Sequence, residues 1–133
     1  MKTLINFYNL ALATIFTFSS CANDSTPTPQ TAKDIYICGN ELQGSFNVVK
    51  TWKNGVATTL SDGKSNAVSN AIVAMGNNVY VAGLEYNTMG NTVAKIWKNN
   101  IGTNLSDGIN NANATSVTAV NNDIYVAGYE FNA

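Results

Sequence analysis

The residues of this sequence best equipped for chemistry are carboxylates and one cysteine behind an apolar leader, and the carboxylates come at regular intervals. Glu41, Glu85 and Glu130 each stand two residues beyond a glycine, namely Gly39, Gly83 and Gly128. Asp62 and Asp107 each precede one, Gly63 and Gly108. Glutamates ringing one end of a repeat architecture could hold a ligand or Ca²⁺ through oxygen atoms. No EF-hand or similar spacing accompanies them, and a residue that recurs in every repeat serves architecture equally well, the aspartates being suited to turns. No catalytic residue, metal site or cofactor is assigned from the sequence.

The remaining inventory excludes several chemistries. The chain has no histidine, and none of its seven basic residues is an arginine. Ser-His and Cys-His nucleophile pairs, histidine metal sites and arginine forks for phosphate are therefore out of reach. A formal net charge of −1 offers no basic surface, so nucleic acid is not an expected partner.

Two cysteines are present. Met1 and Lys2 open a weakly positive start, an apolar run follows from Leu10 to Phe18, and small residues Ser19 and Ser20 lead directly to Cys21. That order reads as an export signal over residues 1–20, whose apolar run is only about half the length a membrane-spanning helix needs. Residues 21–33, with Pro27 and Pro29 among serines and threonines, have no apolar side chains to pack and read as a tether. The second cysteine, Cys38, stands where the other repeats carry Ala82 and Ala127, which suits a small buried apolar residue. A disulfide between Cys21 and Cys38 is open only if Cys21 is not lipidated.

The elements that must position the carboxylates emerge from internal repetition. Ile35-Tyr36-Ile37-Cys38-Gly39 recurs as Val79-Tyr80-Val81-Ala82-Gly83 and Ile124-Tyr125-Val126-Ala127-Gly128, at intervals of 79 − 35 = 44 and 124 − 79 = 45. Trp52 recurs as Trp97, and Leu60-Ser61-Asp62-Gly63 as Leu105-Ser106-Asp107-Gly108, at 97 − 52 = 45 and 105 − 60 = 45. The units run 34–77, 78–122 and, in part, 123–133. Tyr36, Tyr80, Tyr125, Trp52 and Trp97 could stack on sugars, although aromatics at repeat spacing equally fill a core.

Each unit divides into four short segments of strand character. The tyrosine run is apolar at nearly every position, as in a strand buried on both faces. A second strand spans 47–52 and 92–97, and Asn54-Gly55 supplies the positive φ values of a tight hairpin. A third covers 56–60 and 101–105, ending at the Asp-Gly turns. The fourth is 71–75 and 116–120, whose second version is rich in β-branched residues. The asparagines at 77–78 and 121–122, with Asp123, turn the chain into the next unit. Four strands per repeat of this length matches a propeller blade.

Together these patterns resemble the propeller-repeat lipoproteins of bacterial surfaces, and more loosely kelch-type blades. Phe18-Ser19-Ser20-Cys21 resembles the lipobox of such proteins, with Phe18 where leucine is usual. The resemblance implies an all-β chain of antiparallel four-stranded blades, two complete and a third begun. It also implies lipidation at Cys21, attachment to the membrane of a bacterial cell envelope, outer membrane or cell surface, and a glycan or protein ligand. Propellers close with about four to eight blades, so the last strand, 124–130, is expected to stand in a blade whose other strands are missing. The chain is then a piece of a longer protein or shares blades with other copies. Two alternatives to a binding or scaffolding module stay open, a fragment of a glycan-acting propeller enzyme and a truncated product without independent function.

Overall fold

The computed structural model of the chain describes residues 33–132, all of them strand, turn or irregular backbone. The expected export signal, Cys21 with its expected lipidation, and nearly all of the expected tether lie outside the described residues.

The described residues are all-β and antiparallel, with nine strands in three sheets. The first sheet contains β1 (Tyr36–Gln43), β2 (Phe46–Lys53) and β3 (Val56–Thr59), in that order. The second contains β4 (Ala67–Met75), β5 (Asn78–Tyr86), β6 (Thr92–Lys98) and β7 (Ile101–Asn104). The third is a pair, β8 (Ala112–Val120) and β9 (Asp123–Glu130).

This grouping corrects the expectation of two complete four-stranded units and a solitary final strand. The fourth segment of each repeat pairs with the first strand of the next repeat, so the sheets are offset by one strand from the sequence units. The reason is local. Gly76 (φ 57°) and the Asn121-Asn122 pair (φ 50° and 73°) make tight reversals that fold β4 onto β5 and β8 onto β9. The longer link from Leu60 to Asn66 carries the chain to a new sheet instead. One sheet is thus four-stranded, and β9 is paired along one edge by β8.

The fourth strands are longer than the sequence suggests because each contains a bulge, between Ser69 and Ala71 in β4 and between Ala114 and Ser116 in β8. An extra residue shifts the alternation of side chains and hides the strand's beginning from a period-two reading. Opposite each bulge sits a glycine of the tyrosine run. A Cβ on Gly83 would lie 1.9 Å from the Val68 carbonyl oxygen, and one on Gly128 would lie 2.2 Å from that of Asn113. Backbone proximity, not dihedral freedom, therefore fixes glycine at these two positions.

Packing runs from sheet to sheet through the bulged strands, with β4 against β1 and β2, and β8 against β4, β5 and β6. Two apolar clusters result. Between the first and second sheets, Val49, Leu60, Ala67, Val81 and Trp97 are buried, with Cys38, Ile72 and Val79 alongside. Between the second and third lie Tyr80, Ala82, Ala94, Ala112, Ala114 and Val117. Central β5 is buried continuously from Tyr80 to Gly83, as a strand covered on both faces should be. Its counterparts on the end sheets are not, and the same tyrosine position goes from 8% exposed at Tyr80 to 55% at Tyr125. The outermost strands β3 and β7 are four residues each and exposed, a length that limits unwanted edge pairing.

Candidate functional site

The recurring polar residues prove to be side-chain latches on the backbone, in matched pairs. The N–H of Val49 donates to Ser61 Oγ (2.9 Å), and at the next repeat the N–H of Ala94 donates to Ser106 Oγ (3.1 Å). Asp62 Oδ1 accepts from the Lys64 N–H (3.0 Å) and Asp107 Oδ1 from the Ile109 N–H (2.9 Å), each closing an Asx turn that Gly63 and Gly108 complete at φ 74° and 79°. That amide hydrogen bond is the main cause holding the Asp62 carboxyl below its ordinary range. Asn54 and Asn99 take positive φ and accept from the Ile35 and Val79 N–H groups (2.9 and 3.0 Å).

Asn66 and Asn111 join successive sheets. Asn66 Oδ1 accepts from the Asn47 N–H (2.8 Å) of the preceding sheet, while its carbonyl accepts from the Tyr86 N–H (2.9 Å) of the following one. Asn111 repeats this with Thr92 (2.8 Å) and Phe131 (2.9 Å). The sequence reading did not single these asparagines out, although their interval of 111 − 66 = 45 carries the signal.

Two of the three glutamates lean on the neighbouring strand. Glu41 forms an ion pair with Lys50 (2.8 Å), and Glu85 pairs with Lys95 at the same place in the second sheet. The first pair is partly open, with the Glu41 side chain 53% exposed, whereas Glu85 is only 12% exposed. Glu130 lies exposed on β9. Among the described residues, no three His, Cys, Asp or Glu side chains gather as a metal ion would require. Lys53 pairs with Asp34 (2.8 Å), which holds that carboxyl low and the ammonium pKa high.

The aromatics divide. Trp97 and Tyr80 are core, with Lys98 Nζ 5.6 Å from the Tyr80 ring centre and Lys95 Nζ 5.9 Å from that of Trp97. Tyr36 and Trp52 sit half-buried on the first sheet, and Trp52 lies against Gly39, where a Cβ would meet its ring at 3.2 Å. Lys53 stands 5.3 Å from the Tyr36 ring. Cys38 is a half-buried free thiol in the place the other repeats give to alanine.

A concave feature with mixed chemistry lies where the first two sheets meet. A groove of about 510 Å³ is walled by Phe46, Asp62, Lys64, Ser65 and Asn66 on one side, and by Glu85, Tyr86, Asn87, Thr88 and Lys95 on the other. The Ser-Asp-Gly turn forms one lip. The other is the β5–β6 loop, where Asn87 Oδ1 accepts from the Met89 and Asn91 N–H groups (both 3.0 Å) and Asn87 Nδ2 donates to the Gly108 carbonyl (2.8 Å). Tyr86 and Phe46 are the aromatics at this groove, 43% and 37% exposed. Sequence reasoning passed them over, since Phe46 has no aromatic counterpart in the next repeat, while Tyr86 recurs as Phe131 at 131 − 86 = 45.

No protein-family model, no curated protein and no solved structure matches this chain.

Proposed function

We propose that this chain is a cell-envelope lipoprotein, anchored through Cys21, that displays a propeller-type surface for binding, with the groove between its first two sheets as the ligand site. The observation that carries the reading is the composition of that groove. Its volume of about 510 Å³ falls within the roughly 300–1,000 Å³ typical of small-molecule sites. Two half-exposed rings stand beside amide, carboxylate, hydroxyl and ammonium groups, and the Asp62 and Asn87 turns that form the two lips are hydrogen-bonded to the backbone.

That combination suits a glycan. The C–H faces of a sugar ring stack on aromatic rings, and its hydroxyls need donors and acceptors together, which Asn66 Nδ2, Asp62 Oδ2 and the Ser65 and Thr88 hydroxyls offer. The absence of histidine, and carboxylates engaged in turns and ion pairs, favour retention of a ligand over its turnover. The stacked sheets and their offset repeats support blades of propeller type, and the apolar leader before Cys21 supports export and lipidation.

The test is binding of the full chain to an array of immobilised glycans, repeated with Tyr86→Ala. Selective retention that weakens at least tenfold in the variant supports the reading. Retention of no glycan above the bare surface, or equal retention by Tyr86→Ala, would sink it.

A further inference from the structure

Four of the residues that line the groove between the first two sheets carry charge, Asp62 and Glu85 against Lys64 and Lys95, so the lining sums to 2 − 2 = 0. Each of these charges is already answered inside the groove. Lys95 forms its ion pair with Glu85, and both side chains are largely buried, 18% and 12% exposed. Lys64 Nζ stands 3.5 Å from Asp62 Oδ2 at the open lip, where the two side chains are 84% and 56% exposed. The Lys64 amide hydrogen bond, and after it the charges of Lys64 and Lys95, hold the Asp62 carboxyl below its ordinary range, so the two pairs act on each other across the groove.

The second Asp-Gly turn is an internal control for the role of Lys64. Ile109 occupies the matching position (109 − 64 = 45), and its N–H closes the Asx turn on Asp107 at 2.9 Å as the Lys64 N–H does on Asp62 at 3.0 Å. Asp107 has no ion-pair partner among the described residues. The turn therefore forms without a lysine, and the architecture does not require the Lys64 ammonium. Its effect is to cancel the carboxylate that the lip of the groove would otherwise present.

We propose that the groove selects uncharged sugars over uronic acids, sulfated or phosphorylated sugars and free amino sugars, with Asp62 and Lys64 setting the preference. The inference rests on the glycan reading above and narrows its ligand class. An anionic group reaches Lys64 only by displacing Asp62, and then has that carboxylate and Glu85 beside it. The ammonium of an amino sugar reaches Asp62 only by displacing Lys64, with Lys95 beyond. In either direction the ligand exchanges one ion pair for another and leaves a like charge next to its own, a repulsive element that gives specificity without adding affinity. Desolvation of the charged group opposes binding as well, and no unpaired counter-ion is present to offset it. A neutral hydroxyl meets neither obstacle, because the ion-paired carboxylate still accepts a hydrogen bond and the Ser65 and Thr88 hydroxyls both donate and accept.

The test immobilises each hexose of the gluco, galacto and manno series beside its uronic acid and its free 2-amino sugar, at about pH 6 where both of the latter are charged. Retention is measured for the full 133-residue chain as wild type, Asp62→Asn and Lys64→Ile. Asparagine keeps an acceptor oxygen for the turn, isoleucine is the residue the second turn carries, and circular dichroism checks that both variants hold the wild-type fold. The wild type is expected to retain the uncharged member of a series at least about tenfold better than either charged member. That retention should change less than about twofold between low and high salt, where an ionic contact would weaken. Asp62→Asn leaves Lys64 unpaired and should raise uronic acid relative to hexose at least threefold, and Lys64→Ile should do the same for the amino sugar. A charged member retained as well as its hexose by the wild type, or an unchanged ranking in both variants, overturns this inference and leaves the glycan reading standing. Retention of no sugar at all strikes the glycan reading itself, and this narrower one with it.

Discussion

Replacing Gly83 by alanine tests the bulge that sets the sheet offset, and the first sheet supplies an internal control. The added methyl would sit 1.9 Å from the Val68 carbonyl oxygen, 3.0 Å from its carbon and 3.1 Å from Ser69 Cα, all of them backbone atoms. An aliphatic carbon in a favourable C–H contact with a carbonyl oxygen sits at about 3.3 Å or more. The bulge must therefore open by roughly 1.4 Å, breaking the ladder around the Val68–Leu84 and Ser69–Gly83 pairs. Two lost hydrogen bonds at about 1 kcal/mol each, with about 1–3 kcal/mol for forcing volume into a packed site, give a cost of about 3–5 kcal/mol. At about 4–8 °C per kcal/mol for a domain of this size, the melting temperature should fall by at least about 12 °C. The equivalent change Gly39→Ala meets only the Trp52 ring, at 3.2 Å, which can swing away, so its cost should stay within about 1 kcal/mol. Urea and thermal unfolding followed by circular dichroism read both variants. Equal stabilities for Gly83→Ala and Gly39→Ala, or a Gly83→Ala loss below about 0.5 kcal/mol, would refute the close approach of β4 to β5.

Further outcomes follow from the latches and ion pairs. Ser61→Ala leaves the buried Val49 N–H without its acceptor and should cost about 1–3 kcal/mol in urea unfolding. Lys95→Met strands the Glu85 carboxylate, 12% exposed, and should destabilise by about 2–4 kcal/mol, whereas Lys50→Met, facing the more open Glu41, should cost less than about 1 kcal/mol. The folded Asp62 carboxyl has a pKa below its ordinary 3.8, so its stabilisation is fully present above pH 3.8 and is lost as pH falls through the lower folded value. A pH series of melting temperatures should show wild type and Asp62→Asn converging over that acid range, and a constant separation down to pH 2 would contradict the turn's role.

Much of the architecture was legible because the repeat punctuates itself. Asn54-Gly55 takes φ of 50° and 85°, as a tight hairpin requires, and the tyrosine runs, tryptophan strands and Asp-Gly turns all lie where their spacing put them. The phase of the sheets was not legible, since a tandem repeat has no natural cut point and only the closeness of β4 to β5 shows which strands pair. The start of β4 at Ala67 was hidden by its bulge. Site residues were harder still. The glutamates looked like a free set because the lysines that pair with them, Lys50 and Lys95, lie across a hairpin and not nearby in sequence. Asn66 and Asn111 act on backbone groups of two sheets at once, a role that composition cannot reveal. Tyr86 matters only because the first sheet's turn faces it across the groove.

The proposed lipid anchor at Cys21 and display at the cell surface are tested together by metabolic labelling of the full chain with radioactive palmitate in a bacterial host, paired with proteinase treatment of intact cells. Label on the wild-type chain that disappears in Cys21→Ser, together with loss of the cell-associated chain to external proteinase, is the predicted result. An unlabelled chain, or a labelled one that the proteinase cannot reach, would contradict it.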